Sequence, residues 1–372
     1  YPANSSEWGV LKTTSVDWSG FNSSFNKKLP LELTPRKEIE VKPLDILVTR
    51  AGPTERVGVV SVVPHSVRSK LMISDKLIRL KSNEENNPLF LGISLSSVKC
   101  QNQLQSKTSG LAKSQTNISQ KILGEVLLKL PSKEEQTKIA SFLSAVDEKI
   151  SQLTKKHELL SQYKQGMMQK LFSQQIRFKA DDGSEFGEWE EKILSEIAEI
   201  IGGGTPSTNN EEYWNGDVVW LTPSEISKKF IGESKRTISE LGVQKSSAKK
   251  LPVGTILFTS RATIGEVAIA IAEVTTNQGF QSFIVKENTL NEFLYYWLVN
   301  NKKSFIERAS GSTFLEISKS KIQPMEILLP CIEEQTKIAN FLSAIDQKIE
   351  VAAQQIEQAK TWKKGLLQQM FV

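Results

Sequence analysis

Two stretches of the chain carry apolar positions at alternating spacings of three and four. In the first the seam runs Leu143, Val146, Ile150, Leu153, His157, Leu160, Lys164, Met167, Leu171. In the second it runs Leu342, Ile345, Ile349, Ala352, Ile356, Ala359, Lys363, Leu366, Met370. A sustained heptad predicts a long helix packed along one stripe against another helix. Pro131 and Pro330 stand just before each stretch, where a missing amide is harmless, and the following acids suit the positive end of the helix dipole. About 38 residues at ~1.5 Å each give rods of ~57 Å. Small Ala352 and Ala359 permit close approach, while His157, Lys164 and Lys363 in the seam are expected to fix register at some loss of stability.

Elsewhere the apolar runs are shorter. Strands are predicted at Asp217–Leu221, Thr255–Thr259, Glu266–Ile271 and Phe280–Val285, and a helix over Leu290–Ala309. Residues Gly202 to Gly216, GGGTPSTNNEEYWNG, read as a loop rich in turn formers.

The chain is internally duplicated. PSKEEQTKIASFLSAVDEKI from Pro131 returns as PCIEEQTKIANFLSAIDQKI from Pro330, with 15 of 20 positions identical. The offset of 199 holds through KQGMMQKLF at Lys164 and KKGLLQQMF at Lys363. Fainter parallels lie upstream, PLDILVTRAG from Pro43 with PVGTILFTSRATIG from Pro252. The expected architecture is therefore mixed α/β (α+β). Two similar globular domains, 1–130 and 173–329, are separated by helices 131–172 and 330–372, which pair as an antiparallel coiled coil in a pseudo-two-fold internal repeat.

Length and composition agree. With 372 residues, 39% apolar and 24% charged, the chain can bury more than one core, and no apolar run reaches the ~18 residues a bilayer span needs. Two distant cysteines, Cys100 and Cys331, make neither a disulfide framework nor a zinc site and fit a reducing compartment, so cytoplasm is expected. The chain opens on Tyr1 rather than Met, which leaves a preceding segment open. The net charge of +5 is uneven: the four segments carry +7, +2, −4 and 0, so an acidic partner should meet the first most readily.

No catalytic constellation stands out. Asn87-Pro88-Leu89-Phe90 is close to the NPPF-type turn of adenine methyltransferases but lacks the preceding apolar strand, and is read as a loop ahead of a helix over Leu89–Leu95. Gly202-Gly203-Gly204 has no phosphate-loop lysine, and His65 and His157 have no nucleophile or ligand cluster at useful spacing. A non-catalytic binding protein is the reading. The second globular part, acidic overall, still concentrates Lys228, Lys229, Lys235, Arg236, Lys245, Lys249, Lys250 and Arg261 between residues 228 and 261. In the first, Arg50, Arg56, Arg68, Lys70, Lys107 and Lys113 lie beside Ser, Thr, Gln and Asn. Lysines neutralise phosphates, whereas Arg, Asn and Gln can pair with base edges.

The duplicated EEQ-x-KIA-x-FL-x-x-x-D-x-KI helices, GGTPS at Gly203, YWNGDVVWLTPSEI at Tyr213, LPVGTILFTSRATIG at Leu251 and TNQGF at Thr276 resemble the DNA-specificity subunit of Type I restriction–modification systems. The resemblance implies that each globular block is a target recognition domain reading half of a bipartite double-stranded DNA sequence, with the helices as spacer. It implies no catalysis by this chain. Two modification subunits would bind S-adenosylmethionine and methylate adenine, and restriction subunits would use ATP to cleave. It places DNA contacts at Thr205, Ser207, Thr222, Ser224, Ser260, Arg261, Asn277, Gln278, Ser312 and Thr313, and, from the basic pattern, at Lys228, Lys229 and Lys245. In the first domain, which lacks GGTPS and TNQGF, the candidates are Arg50, Arg56, Lys70, Lys107 and Lys113. Gln136, Phe142, Gln335 and Phe341 are candidate contacts for the modification subunits. The alternative reading is a coiled-coil scaffold for protein interaction without DNA specificity.

Overall fold

The protein is seen in a computed structural model that describes residues 1–108, 116–311 and 315–371. It divides into two compact units, Tyr1–Lys155 with Ala353–Val372, and Lys156–Ala352. Each is mixed α/β. Among the described residues, no helix is long and apolar enough to cross a membrane.

In the first unit β1 (Ile46–Thr49) lies between β2 (Val60–Val62) and β3 (Leu77–Leu80), antiparallel to both. Its β-branched and leucine side chains are buried on both faces: Ile46 and Val48 face one apolar cluster and Leu47 the other. A second sheet sets Gly9–Leu11 antiparallel to Asn26–Lys28 and parallel to Leu71–Met72. Helix α1 (Pro88–Leu95) starts at Asn87, whose Oδ1 accepts from the amides of Leu89 and Phe90 at 3.0 and 3.2 Å. The NPLF run is thus an N-cap followed by proline at the first helical position. Helix α2 (Val98–Ser106) follows, capped by Ser97.

The long helix α3 (Lys133–Phe172) gives its first part to this unit and its last to the second.

The second unit repeats the plan with a larger central sheet. Its five-stranded sheet contains β4 (Ala198–Gly202), β6 (Phe230–Ile231), β8 (Ile256–Phe258), β9 (Val267–Ala270) and β11 (Gln281–Val285), in the order β4-β11-β8-β9-β6. Beside it β5 (Trp214–Leu221) pairs antiparallel with β7 (Arg236–Ile238) and parallel with β10 (Thr275–Thr276). The centre, β8 between antiparallel β9 and β11, matches β1 between β2 and β3, and the parallel pairing of β5 with β10 matches Gly9–Leu11 with Leu71–Met72. The four predicted strands are found with shifted ends. The predicted helix over Leu290–Ala309 is instead α4 (Asn291–Asn300) and a short helix Lys302–Arg308. The break is at Asn301, whose side-chain amide donates to the Trp297 carbonyl at 2.9 Å and competes with the helical ladder.

The second long helix, α5 (Ile332–Met370), runs antiparallel to α3 in each unit. In the second unit Lys164 of α3 pairs with Asp346 of α5 at 2.5 Å, and in the first Lys363 of α5 pairs with Asp147 of α3 at the same distance. These are equivalent positions, 199 apart. The seam lysines therefore set register through a carboxylate on the facing helix, as only an antiparallel arrangement allows for both pairs. Their apolar neighbours Leu143, Leu342, Ile345 and Ala352 are buried, each larger side chain contributing ~1.5–3 kcal/mol. Toward its end α3 rotates its seam, so that Met168 is buried where Met167 is not. The last aromatic of each helix caps a globular helix: Phe371 meets Phe90 at 5.5 Å in the first unit, and Phe172 meets Phe293 at 5.5 Å in the second.

In the second unit Asp346 also accepts from the Tyr296 hydroxyl at 2.6 Å, beside Lys229. Burial and then that hydrogen bond push the Tyr296 hydroxyl well above the ordinary tyrosine range. The stabilisation is complete below the unfolded tyrosine value of about 10 and falls as the pH rises beyond it.

One buried glutamine ties each long helix to its globular part. Gln335 Oε1 accepts from the Leu290 amide at 2.8 Å, and its Nε2 donates to the Asn288 and Pro330 carbonyls at 2.9 and 2.8 Å. Gln136 Oε1 accepts from the Asn87 amide at 2.9 Å, and its Nε2 donates to Asn86 Oδ1 and the Pro131 carbonyl, both at 3.0 Å. Gln335→Ala should cost ~1–3 kcal/mol, because it strands the carbonyl of buried Pro330 and the amide of half-buried Leu290. Gln136→Ala should cost less, since Pro131, Asn86 and Asn87 are all only half-buried and can turn to water. Urea denaturation of the two variants checks the size and the order.

Candidate nucleic-acid interface

In the second unit four loops meet along one rim. Gly203 and Gly204 permit it: a Cβ on Gly203 would lie 2.1 Å from the Asn277 carbonyl oxygen, and one on Gly204 would lie 2.4 Å from the Ala248 amide. The chain passes this close only without side chains. Gly204 N donates to the Thr276 carbonyl at 2.8 Å, and Asn277 N to the Leu221 carbonyl at 3.0 Å. Ser260 N donates to the Gly279 carbonyl at 2.7 Å, and a Cβ on Gly279 would lie 2.7 Å from Pro223 Cγ. Residues 203–207, 221–225, 260–261 and 276–279 are thus interlocked.

Most second-domain candidates from the sequence stand on this rim. Exposed Thr205 donates from its hydroxyl to Gln278 Oε1, so these two are joined directly. Asn277 Oδ1 accepts from the Gly279 amide at 2.9 Å, and its NH2 has no partner among the described residues. Thr222 donates from its amide and its hydroxyl to Glu225 at 2.8 and 2.7 Å, with exposed Ser224 3.1 Å from the same hydroxyl. Ser207 is exposed, and its carbonyl accepts from Trp214 Nε1 at 3.1 Å. Arg261 donates from Nε and Nη2 to one oxygen of Glu316, at 2.9 and 2.6 Å. Ala262 beside it sits at φ 63°, a conformation held by the turn. Lys228 and Lys245 are exposed on neighbouring segments, away from these bonds.

Two expected contacts are drawn inside. Ser260 is fully buried, because its backbone is bonded on both sides, to Gly279 and to Ile317. Lys229 turns in toward Glu292 at 2.5 Å and over the Tyr296 ring at 4.6 Å, where a carboxylate and a π face replace water around its charge. Ser312 and Thr313, and Lys113 in the first unit, lie outside the described residues.

The first unit carries the same turn. Thr49 donates from its amide to the Val59 carbonyl at 2.9 Å, its carbonyl accepts from Gly58, and its hydroxyl accepts from the Val59 amide at 2.9 Å and donates to the Arg56 carbonyl. Thr259 makes the same set with Glu266, Gly265 and Thr263. By these bonds Arg50 is the counterpart of Ser260, since its amide donates to the Lys76 carbonyl and its carbonyl accepts from Ile118. Ala51 and Asn117 then occupy the places of Arg261 and Glu316. Arg50 is exposed, and its guanidinium has no partner among the described residues.

The other first-unit candidates are engaged. Arg56 pairs with Asp17 at 2.5 Å and donates to the Val16 carbonyl at 2.8 Å, and its guanidinium holds the Asp17 carboxyl below the usual range. It is a structural clamp. Lys70, at φ 63°, donates to the Ser6 carbonyl at 2.8 Å, and Lys107 pairs with Glu125 at 2.9 Å near the surface.

On the long helices Gln136 and Gln335 have their amides consumed inside the fold, so partner contact is not open to them. Phe341 is half-buried against Phe178 at 5.6 Å. Phe142 is 44% exposed and edge-on to Trp362 at 5.7 Å, itself 51% exposed. Two aromatic rings left in water on a helix pair have the composition of an interface core. Trp362 escaped the sequence reading because it falls outside the repeated motif and off the heptad seam. Among the described residues, no group of three or more His, Cys, Asp or Glu could hold a metal ion.

A family model described as Type I restriction modification DNA specificity domain matches residues 18–161 and 187–361. The Type I restriction enzyme MjaIX specificity subunit of Methanocaldococcus jannaschii is 41% identical over 192 residues, 50% of this chain and 44% of that protein. The putative MjaX specificity subunit of the same organism is 28% identical over 332 residues, 87% of this chain and 76% of that one. The chain thus spans less than half the length of the first of these relatives. The Type I restriction–modification system S subunit from M. genitalium has a similar fold, with a TM-score of 0.58 at 17% identity, covering 98% of this chain and 93% of that one.

Gly203→Ala should lower stability by ~1–3 kcal/mol and loosen the rim, because the new methyl must displace backbone. Gly187→Ala, with nothing within 4 Å of the added Cβ, should stay within ~0.5 kcal/mol of the parent. Thermal denaturation of both, with amide hydrogen exchange at Asn277 and Gln278, measures the difference.

Proposed function

The chain belongs to the Type I restriction modification DNA specificity family, and from that premise we propose that each globular part reads one half of a bipartite double-stranded DNA target. The paired helices set the gap between half-sites and dock two modification subunits, with Phe142 and Trp362 among the docking contacts. Restriction subunits join the same assembly. In this reading the chain transfers no methyl group and cuts no bond; S-adenosylmethionine and ATP are bound by the partners, and the assembly works in the cytoplasm. The boundaries 1–130, 131–172, 173–329 and 330–372 separate reading heads from spacer helices.

The observation that carries the proposal is the shared turn. The same hydrogen-bond frame around Thr49 and Thr259 presents Arg50 and Ala51 in one unit, and Ser260 and Arg261 in the other. One frame bearing different donors suits a protein that reads two different short sequences, since base discrimination lies in a few side chains held on rigid backbone. Arg50, Thr205, Thr222, Ser224, Arg261, Asn277 and Gln278 are the proposed readers. Lys228 and Lys245 lie where they can neutralise phosphates.

Selection of bound sequences from random DNA, with and without co-expressed modification subunits, should return two short motifs at one fixed gap. A protein-only scaffold would return none. Inserting seven residues into each long helix should widen that gap by about 3 base pairs, from ~10 Å of added helix and ~3.4 Å per base pair. Arg261→Ala should relax selectivity at a single base pair by ~1–3 kcal/mol, measured by competition among single-base variants of the selected target. An equal loss for every sequence would assign it to a phosphate instead.

A further inference from the structure

Arg236 is exposed and makes no ion pair or side-chain hydrogen bond among the described residues, yet it is held in place. Its guanidinium is centred 3.8 Å over the Trp214 ring and 5.7 Å from that of Trp220. The two buried rings meet edge to face at 5.1 Å. A bulge in β5, where both Trp214 and Val218 lie opposite Ile238, puts the rings together. The backbone is latched too: Ser234 Oγ accepts from the Trp220 amide at 3.1 Å and donates to the Arg236 carbonyl at 2.6 Å.

The same two rings hold the rim loop. Trp220 Nε1 donates to the Gly204 carbonyl at 2.9 Å and Trp214 Nε1 to the Ser207 carbonyl at 3.1 Å. Arg236 and residues 204–207 therefore share one support. Stacking uses the face of the guanidinium and leaves its N–H edge available. A guanidinium held over the Trp214 ring, with the edge-on Trp220 ring beside it, offers a fixed fork to an anion that approaches the protein surface. The corresponding place in the first unit, opposite Gly9 as Arg236 is opposite Trp220, holds Lys28, which is neutralised by Glu7 at 2.6 Å.

We propose that Arg236 is a preordered phosphate contact, clamping the DNA backbone beside the half-site that the second unit reads. The assignment rests on the DNA-reading function proposed above. It differs from the reading residues in being blind to sequence.

The test uses the full chain with its modification subunits on the selected target, with affinity measured at several salt concentrations. Arg236→Gln should weaken every sequence alike, about 5–10-fold, and make the slope of log affinity against log salt shallower by ~0.9. Arg236→Lys should keep the slope and lose about 2–5-fold, because its ammonium has no planar fork. Lys28→Gln should change neither. Unchanged affinity and slope in a folded Arg236→Gln would reduce the residue to a cover for the tryptophans. A loss confined to one base pair would make it a base reader and overturn the assignment. Melting curves are taken first; if Arg236→Gln unfolds, Arg236→Lys decides, and undiminished affinity there sinks the proposal. Absence of salt-dependent DNA affinity in the unaltered chain would instead defeat the functional reading itself.

Discussion

The amide of one glutamine decides how each long helix leaves its globular part. Gln136 and Gln335 follow a proline by five residues, and in both cases the side chain accepts the amide of the residue that caps a globular helix while donating to the proline carbonyl. An amide can do both at once without carrying a charge into the interior, which neither a carboxylate nor an ammonium could do at comparable cost. With the start of each long helix fastened, its heptad stripe faces a defined direction, and the Lys–Asp pairs select the antiparallel register. The terminal phenylalanines Phe172 and Phe371 then find Phe293 and Phe90. Copy by copy, the same few contacts recur.

That regularity contrasts with the surface. The turn around Thr49 and Thr259 is the same to within a few hydrogen bonds, while the side chains it displays differ in charge, size and burial. Backbone geometry kept by a buried threonine hydroxyl leaves adjacent positions free to vary, as half-site recognition requires. The second unit adds a further layer, in which glycines let 203–207 lie on 276–279 and two tryptophans fasten that loop from below.

The legibility of the site followed the motifs peculiar to the second unit, not the repeat. Thr205, Asn277 and Gln278 were placed by motif, and the loops holding them do meet. Lys229 and Ser260 sit in equally suggestive strings and point inward, because Glu292, Tyr296 and the Gly279 and Ile317 backbone claim them first. Arg56 was one more basic residue in a polar loop until Asp17, 39 positions earlier, proved to hold it. Arg236 was visible only as part of a charge cluster. Its special place depends on two tryptophans that strand pairing brings beneath it.

The sequence alone determined the duplication, the two long helices and their mutual seam, because heptad spacing and identity at 15 of 20 positions are local properties that read directly off the chain. It also determined four strands of the second unit, the three at the centre of its five-stranded sheet and the long one beside it. It could not show that Gly9–Leu11 takes the place of Trp214–Leu221, since the two share no residues that announce a common role. Only tertiary structure decided which polar side chains face outward. A hydroxyl, an ammonium or an amide is equally at home in water or in a satisfied interior, and the choice depends on partners that folding delivers from distant positions.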